Sequence, residues 1–425
     1  MPNGQPKIYI EAHKDQLVVG LNQNGKILEI LGHIHVTWSS VRKNKTLELA
    51  LITLDEVIVP AGYTGAAGKP DLDRLIAYLR NSYKAETGES LTIGKNRIVG
   101  SLVGSPYTGG GEGVPTPYTG SGQGAATPYT GGGKPGGSPY TAAGSGPYTG
   151  GGLSGIQLTP LTGTLPNRTE PPGQGVGVGI LDTRLFAHPN LAGRYLASHG
   201  TLAAEIPARP PDQEAHATFI AGVVLERAPN ANLMVDHVLD ESDISTSSWQ
   251  VATKMAGFAE AGVKVLNISF GAATDDDNPP LVLQRAVEVL GRRGVIVVAA
   301  AGNNGPDTRK IWPAALAEND QNVVAVGAGT PNGSGGFLSA VFSPDAPWIG
   351  LIAPGENIYS TYKASGYAFW NGTSFAAAAV SGAIAFLVQT QGIDASEAVD
   401  WLNTPPGSRK DPRVTAVIDD IGPRA

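Results

Sequence analysis

Four polar residues, Asp182, His216, Asn303 and Ser374, stand where this sequence passes from apolar runs into turns or helices. Together they could carry out acyl transfer. A serine hydroxyl becomes a useful nucleophile when a histidine within hydrogen-bond reach takes its proton. That histidine needs a carboxylate to fix its tautomer and to stabilise the imidazolium. The tetrahedral oxyanion needs donors already in place, here the Asn303 side-chain amide and the Ser374 backbone N–H. Ser374 opens the run Thr373-Ser374-Phe375-Ala376-Ala377-Ala378-Ala379-Val380, which is strongly helix-favouring. It therefore falls at a helix N-terminus, where unpaired N–H groups and the helix dipole favour negative charge. Plainer roles exist for each residue: Ser374 as a helix cap, Asp182 and Asn303 as turn formers, His216 as an ordinary helix-start residue. Their occurrence together, in the order Asp, His, Asn, Ser, is what makes the set specific.

These residues need a scaffold, and the sequence from about Gly173 supplies one. Strands are predicted at Val176–Leu181, Leu233–Val238, Val263–Ile268, Val295–Ala301 and Val323–Val326. Helices are predicted at Ala217–Leu225, Ser247–Ala261, Leu281–Arg292 and Thr373–Gln389. Strand and helix in alternation imply an α/β fold, a parallel sheet covered by helices on both faces. In such sheets chemistry gathers where the strands end.

Residues from about 174 to 403 resemble the subtilisin-like serine proteases, the subtilases. The segment at Asp182 with His188-Pro189-Asn190-Leu191 is similar to the family's aspartate motif. His216-Ala217-Thr218-Phe219-Ile220-Ala221-Gly222 is similar to its histidine motif, and Gly372-Thr373-Ser374-Phe375-Ala376 to its serine motif. Ala301-Gly302-Asn303 resembles the segment bearing the oxyanion asparagine, and Leu266–Gly271 and Ile352–Gly355 also fit. The resemblance implies an endopeptidase working through an acyl-enzyme. It implies that extended substrate adds as a strand along Ser269-Phe270-Gly271. Ala300, Ala301 and Gly302 would wall the pocket for the residue before the scissile bond. The departures are Ala217 for a usual glycine, Ala378 for a usual proline and Arg184 where glycine is commoner. Arg184 could act on His216 or on substrate acidity, or be a solvated surface arginine. The acidic run Asp275-Asp276-Asp277-Asn278 could hold calcium, attract basic substrate or form a solvated loop. No cofactor is otherwise expected.

The remaining sequence frames this domain. Residues 1–100 read as a small α+β domain. Its strands are expected at Lys7–Ile10, Gln16–Leu21, Ile27–Ile30, Ile34–Trp38 and Thr46–Leu54, and its helix over Pro70–Tyr83. His33 and His35 would share one strand face, as a metal pair or as surface residues. Residues 101–172 hold Pro-Tyr-Thr at Pro106, Pro117, Pro128, Pro139 and Pro147. A tract so rich in glycine and proline reads as a disordered tether, with the tyrosines as a possible recognition feature. The catalytic domain is set at 173–405 and a C-terminal tail at 406–425.

A net charge of −7 argues against nucleic acid as the main partner. Without cysteine there is no disulfide and no thiolate metal site. The N-terminus lacks a signal-peptide pattern and no apolar run matches the ~18–20 residues of a bilayer span, so a cytoplasmic protein is expected. The expected function is a serine endopeptidase acting on protein or peptide. The alternative is a catalytically weak module in which residues 1–100 carry recognition. Those residues could be a pro-domain or a substrate-recruiting domain, and the tether favours recruitment.

Overall fold

A computed structural model describes residues 10–101, 175–197, 212–239, 244–305, 307–332, 336–363, 366–404 and 417–423. The expected strand at Lys7–Ile10, Ile10 apart, and the repeat tract from 102 to 172 lie outside them.

Residues 10–101 form strands β1 (Ala12–Gly20), β2 (Trp38–Asn44), β3 (Leu49–Leu54) and β4 (Ile93–Ser101), with helices α1 (Asn24–His33) and α2 (Asp71–Thr87). The strands are antiparallel, in the order β4-β1-β3-β2. α2 follows Pro70, carries Asp71 and Asp73 in its first turn, and stops at Gly88 with φ 78°, each a favourable helix-end choice. Its stripe of Leu72, Leu75, Ile76 and Leu79 packs with Ile27, Ile30 and Leu31 of α1 against Leu17 and Val19.

Two sequence expectations fail in this unit. Ile27–Ile30 is helical, because Ile27, Ile30 and Leu31 recur at helix spacing and all three are buried. Ile34–Trp38 is a turn: His35 has φ 60° and the strand begins only at Trp38. His33 ends α1, so His33 and His35 do not share a strand face.

The second unit contains β5 (Gly177–Asp182), β6 (Tyr195–Ala197), α3 (His216–Arg227), β7 (Asn232–His237), β8 (Ser245–Ser247) and α4 (Ser248–Phe258). There follow β9 (Val263–Ile268), β10 (Phe270–Gly271), α5 (Leu281–Gly291), β11 (Ile296–Ala300) and β12 (Val323–Pro331). The chain continues through β13 (Phe337–Ser339), β14 (Leu351–Ala353), β15 (Ile358–Tyr362), β16 (Gly366–Trp370), α6 (Thr373–Gln391), α7 (Ala395–Leu402) and β17 (Gly422–Pro423). The main sheet runs β17-β14-β12-β11-β9-β5-β7-β6, with β13 added beside β12. Its pairs are parallel from β6 to β14, and antiparallel at β13 and β17. One core holds α3 and α6 against one face of the sheet, and a second holds α4 and α5 against the other. The α/β architecture read from the sequence is the one observed.

α6 has the length and apolarity of a bilayer span, contrary to the expectation that no segment does. It is the central core helix, and its apolar surface is consumed by β9, β11 and β12 on one side and α3 on the other. α3 and α6 approach closely at Gly382, where a Cβ would lie 2.7 Å from Arg227 Cβ and 2.8 Å from the Val224 carbonyl. Gly382→Val should cost about 1–3 kcal/mol through overpacking, read as a lower urea midpoint with unchanged slope. Within the segment expected as a tail, residues 417–423 rejoin the domain. Ile418 and Ile421 are buried, β17 pairs with β14, and Asp420 Oδ2 lies 2.6 Å from Arg227 Nη2.

β4 is the strand the two units share. It lies between β8 and β10, antiparallel to both, with Val99 opposite Thr246 and Ser101 opposite Phe270. The Asn96 side chain accepts from the Ser248 hydroxyl at 3.0 Å and the Trp249 N–H at 2.9 Å, capping α4 from the other unit. Val18, Leu49 and Leu51, on the sheet face away from α1 and α2, enter the same cluster as Trp249, Leu283 and Val287 of α4 and α5. The Arg97 guanidinium bonds to Asp275 and reaches Asp276 at 3.3 Å, while Lys95 Nζ lies 3.2 Å from Asp275 and 2.8 Å from Asp73. The acidic run thus stays exposed, but two of its carboxylates are paired with basic residues of β4. Among the described residues no group of three or more metal-ligating side chains is assembled.

Burial alone would raise the Asp275 carboxyl, but hydrogen bonding and charge from Arg97 and Lys95 outweigh it and hold it down at about 2. A lowered carboxylate favours docking fully above its ordinary value and loses that effect as pH falls toward the lowered one. Amide protection of β4, corrected for intrinsic exchange, should therefore hold from pH 7 to about 4 and fall only as the pH drops from there toward about 2.

Candidate active site

β5 lies where the strand order reverses, between β7 and β9, and the carboxyl ends of such strands open a crevice. Asp182 ends β5 and is wholly buried. Its Oδ1 accepts the Thr183 N–H at 2.7 Å. The Thr183 hydroxyl donates to the Glu214 carbonyl at 2.9 Å and accepts from Ala217 N–H at 3.0 Å, which pins the start of α3 beside Asp182.

His216 is the first residue of α3, with Nδ1 2.8 Å from Asp182 Oδ1 and 3.0 Å from Oδ2. A carboxylate only accepts, so Nδ1 carries the proton and Nε2 of the neutral ring is left as an acceptor. Nε2 is buried and has no hydrogen-bond partner among the described residues. Trp370, nearly perpendicular to the imidazole, and Phe375, tilted against it, pack on the ring with centres 5.4 and 5.6 Å away.

Ser374 is the second residue of α6, after Gly372 as cap, so its N–H belongs to the first turn and has no intrahelical acceptor. The hydroxyl does not rest on His216. It donates to the Ser269 carbonyl at 3.2 Å, and the Ser269 hydroxyl donates back to the Ser374 carbonyl at 3.1 Å. Behind Ser269, Asn267 Nδ2 donates to the Ser269 hydroxyl at 2.9 Å and accepts at Oδ1 from Ser381 at 3.1 Å. Sequence reasoning placed Asn267, Ser381, Thr183 and Thr373 within motifs but gave them no role of their own. The signal available was a polar residue inside an otherwise apolar strand or helix, since buried polar groups need partners.

Asn303 lies just beyond β11. Its Oδ1 accepts the Thr373 N–H at 2.8 Å and contacts the Thr373 hydroxyl at 3.1 Å. That anchor fixes the orientation of the amide, with Nδ2 on the edge away from the Oδ1 contacts. Gly302, at φ 107°, exchanges bonds with the Thr373 hydroxyl through both N–H and C=O at 3.1 Å. Ala300 and Ala301 are wholly buried at the end of β11, and Phe270 and Gly271 form β10 against β4. If the Asn303 amide donates to an oxyanion, Asn303→Ala should lower kcat by about 10²–10³ with little change in KM, the magnitude known for removing one such donor. Steady-state kinetics on a peptide anilide would measure it.

Two further motif residues fall near this end of the sheet. His188 accepts from Asn190 N–H at Nδ1 and donates from Nε2 to the Gly366 carbonyl at 2.9 Å. Burial pushes it below the usual histidine range although the Gly366 bond opposes this, so it is a structural residue. Arg184 lines a cavity of about 770 Å³ at the junction of the units, together with His13, Arg42, His237 and Lys254.

The order Asp, His, Ser along a doubly wound sheet distinguishes this arrangement from the β-barrel serine proteases, where histidine comes first, and places it in the subtilisin-like class. Residues 173–402, more than half of the chain, match the model of the subtilase family, and the chain belongs to that family. It is 36% identical over 228 residues to subtilisin Savinase from Lederbergia lenta, covering 51% of this chain and 77% of that one. An alkaline protease from Alkalihalobacillus alcalophilus is 37% identical over 228 residues, and there the chain spans only 55% of the relative's length. Fervidolysin from Fervidobacterium pennivorans, a keratinolytic enzyme related to subtilisin, shares the fold. Its TM-score is 0.59 at 18% identity, over 95% of this chain and 60% of that one.

Proposed function

We propose that this protein is a serine endopeptidase with Asp182, His216 and Ser374 as its triad and Asn303 in its oxyanion hole. The observation that carries the reading is the buried Asp182–His216 pair, with Nε2 left as an acceptor and the ring against the first turn of α6, which carries Ser374. In the reaction the Ser374 hydroxyl turns from the Ser269 carbonyl to His216 Nε2 and gives up its proton as Oγ bonds to the substrate carbonyl carbon. Asn303 Nδ2 and the Ser374 N–H hold the oxyanion. His216 then passes the proton to the amine as the C–N bond breaks, leaving an acyl-enzyme. Water, deprotonated by His216, repeats the sequence and releases the acid. Substrate lies along Ser269, Phe270 and Gly271, and Ala300, Ala301 and Gly302 border the side chain before the scissile bond.

The test is intact-protein mass spectrometry after incubation with a fluorophosphonate. One adduct on the wild type and none on Ser374→Ala is the expected result. A folded wild type without adduct would overturn the reading in favour of a non-catalytic module.

A second reading concerns residues 10–101. The strand position that substrate would take beside β10 is filled by β4, and β4 runs toward Ser269 and Ser374. This supports an intramolecular inhibitor over a recruiting domain. The same spectra decide between them: an inhibitory pro-domain is cut from the wild type and retained in Ser374→Ala, whereas a recruiting domain stays attached in both.

A further inference from the structure

We propose that Asp275 and Asp276 form a subsite that selects a basic side chain far upstream of the bond to be cut, and that Arg97 of β4 occupies it in the uncleaved chain. The inference rests on the endopeptidase reading above.

The register defines the position. Gly100 faces Gly271 and Ser101 faces Phe270, so the next residue of any strand lying as β4 does meets Ser269, whose carbonyl holds the Ser374 hydroxyl. Arg97 is four residues before Ser101. It is bonded to one carboxylate and within reach of a second, and its side chain is only 6% exposed, although Asp275 and Asp276 remain 44% and 49% exposed. The cation is thus buried in the docked chain, while the two carboxylates stay open to solvent on the catalytic domain. An arginine suits such a site, because its planar fork can reach two acceptors from one position.

Lys95 contributes less to the selection. It divides its charge between Asp275 and Asp73, and Asp73 leaves with the N-terminal unit. Once β4 departs, Asp275 and Asp276 lose Arg97 and Lys95 together. A new strand lying between β8 and β10 would restore the pairing if it carried arginine at the place of Arg97.

The experiment uses the full chain and two quenched fluorescent peptides. One copies residues 93–106, and the other differs only by alanine at the place of Arg97. Resident β4 competes equally against both peptides, so the ratio of their kcat/KM values within one protein is independent of how far β4 is displaced. Wild type should prefer the arginine peptide about tenfold, as expected for a charge-assisted, two-acceptor contact. In Asp275→Asn/Asp276→Asn the ratio should fall close to one, while hydrolysis of the alanine peptide persists or rises. A ratio near one in wild type, or a ratio unchanged in the double variant, overturns the subsite.

Anisotropy of the same two peptides, fluorescently labelled, is measured in parallel on Ser374→Ala, with and without the two asparagines. If wild type cuts neither peptide the endopeptidase reading fails, and the ratio of dissociation constants still decides the subsite by the same criteria.

Discussion

His216→Ala should lower kcat on a peptide substrate by on the order of 10⁶, the magnitude known for the corresponding loss in subtilisin. On the proposed mechanism KM should change little, because the imidazole then takes part in proton transfer rather than in holding the extended substrate. The structure predicts a second-order effect as well. Asp182 is bonded to His216 at 2.8 Å, and on the proposed mechanism it acts only through that histidine. Asp182→Asn should therefore cost less, about 10⁴, and should add nothing to a chain already lacking His216. Steady-state kinetics of the two single variants and the double variant would test this, with circular dichroism to show that each is folded. Multiplying penalties would mean that the two residues serve separate steps, and the triad assignment would have to be withdrawn.

Val99→Asp should raise the initial rate of the freshly purified, uncleaved chain by at least tenfold. Val99 is fully buried in the cluster that holds Trp249, Val251, Ile268 and Phe270, and it contributes the central side chain of β4 where it crosses between β8 and β10. An unpaired carboxylate buried there costs about 3 kcal/mol or more, some two orders of magnitude in occupancy of the cleft. The loss falls on docking, and the catalytic domain keeps its own core. Progress curves on a small peptide anilide would read the effect, and an unchanged initial rate would exclude β4 as an inhibitor.

The candidate site could be proposed from sequence because its residues sit in short local patterns. Asp182 ends an apolar strand, His216 begins a helix and Ser374 precedes a run of alanines, and the structure brings each to the same end of the sheet. What could not be read were relations across long stretches of chain. Arg97 and Asp275 are 178 positions apart, and neither the basic residues of β4 nor the acidic run names the other as its partner. The assignment of Ile27–Ile30 as a strand failed differently. β-branched residues favour strands locally, but the burial of Ile27, Ile30 and Leu31 on one side decides for a helix. The resting position of the Ser374 hydroxyl was also beyond sequence, because it depends on one side-chain torsion and on the buried Ser269, Asn267 and Ser381 network.

The seating of β4 between β8 and β10 bears on which proteins such a cleft can attack. A polypeptide that takes this place must offer hydrogen-bonding groups along both of its margins, over the several residues from the place of Ile98 to that of Ser101. No segment of a folded sheet or helix can do so, because its amides and carbonyls are already committed. Loops, unstructured stretches and segments that open transiently qualify, and for the last, when opening is fast, the rate of cutting follows the open fraction rather than the sequence alone. Native proteins would then be ranked as substrates by the free energy of their local openings, so that each 1.4 kcal/mol of local stability protects a bond about tenfold.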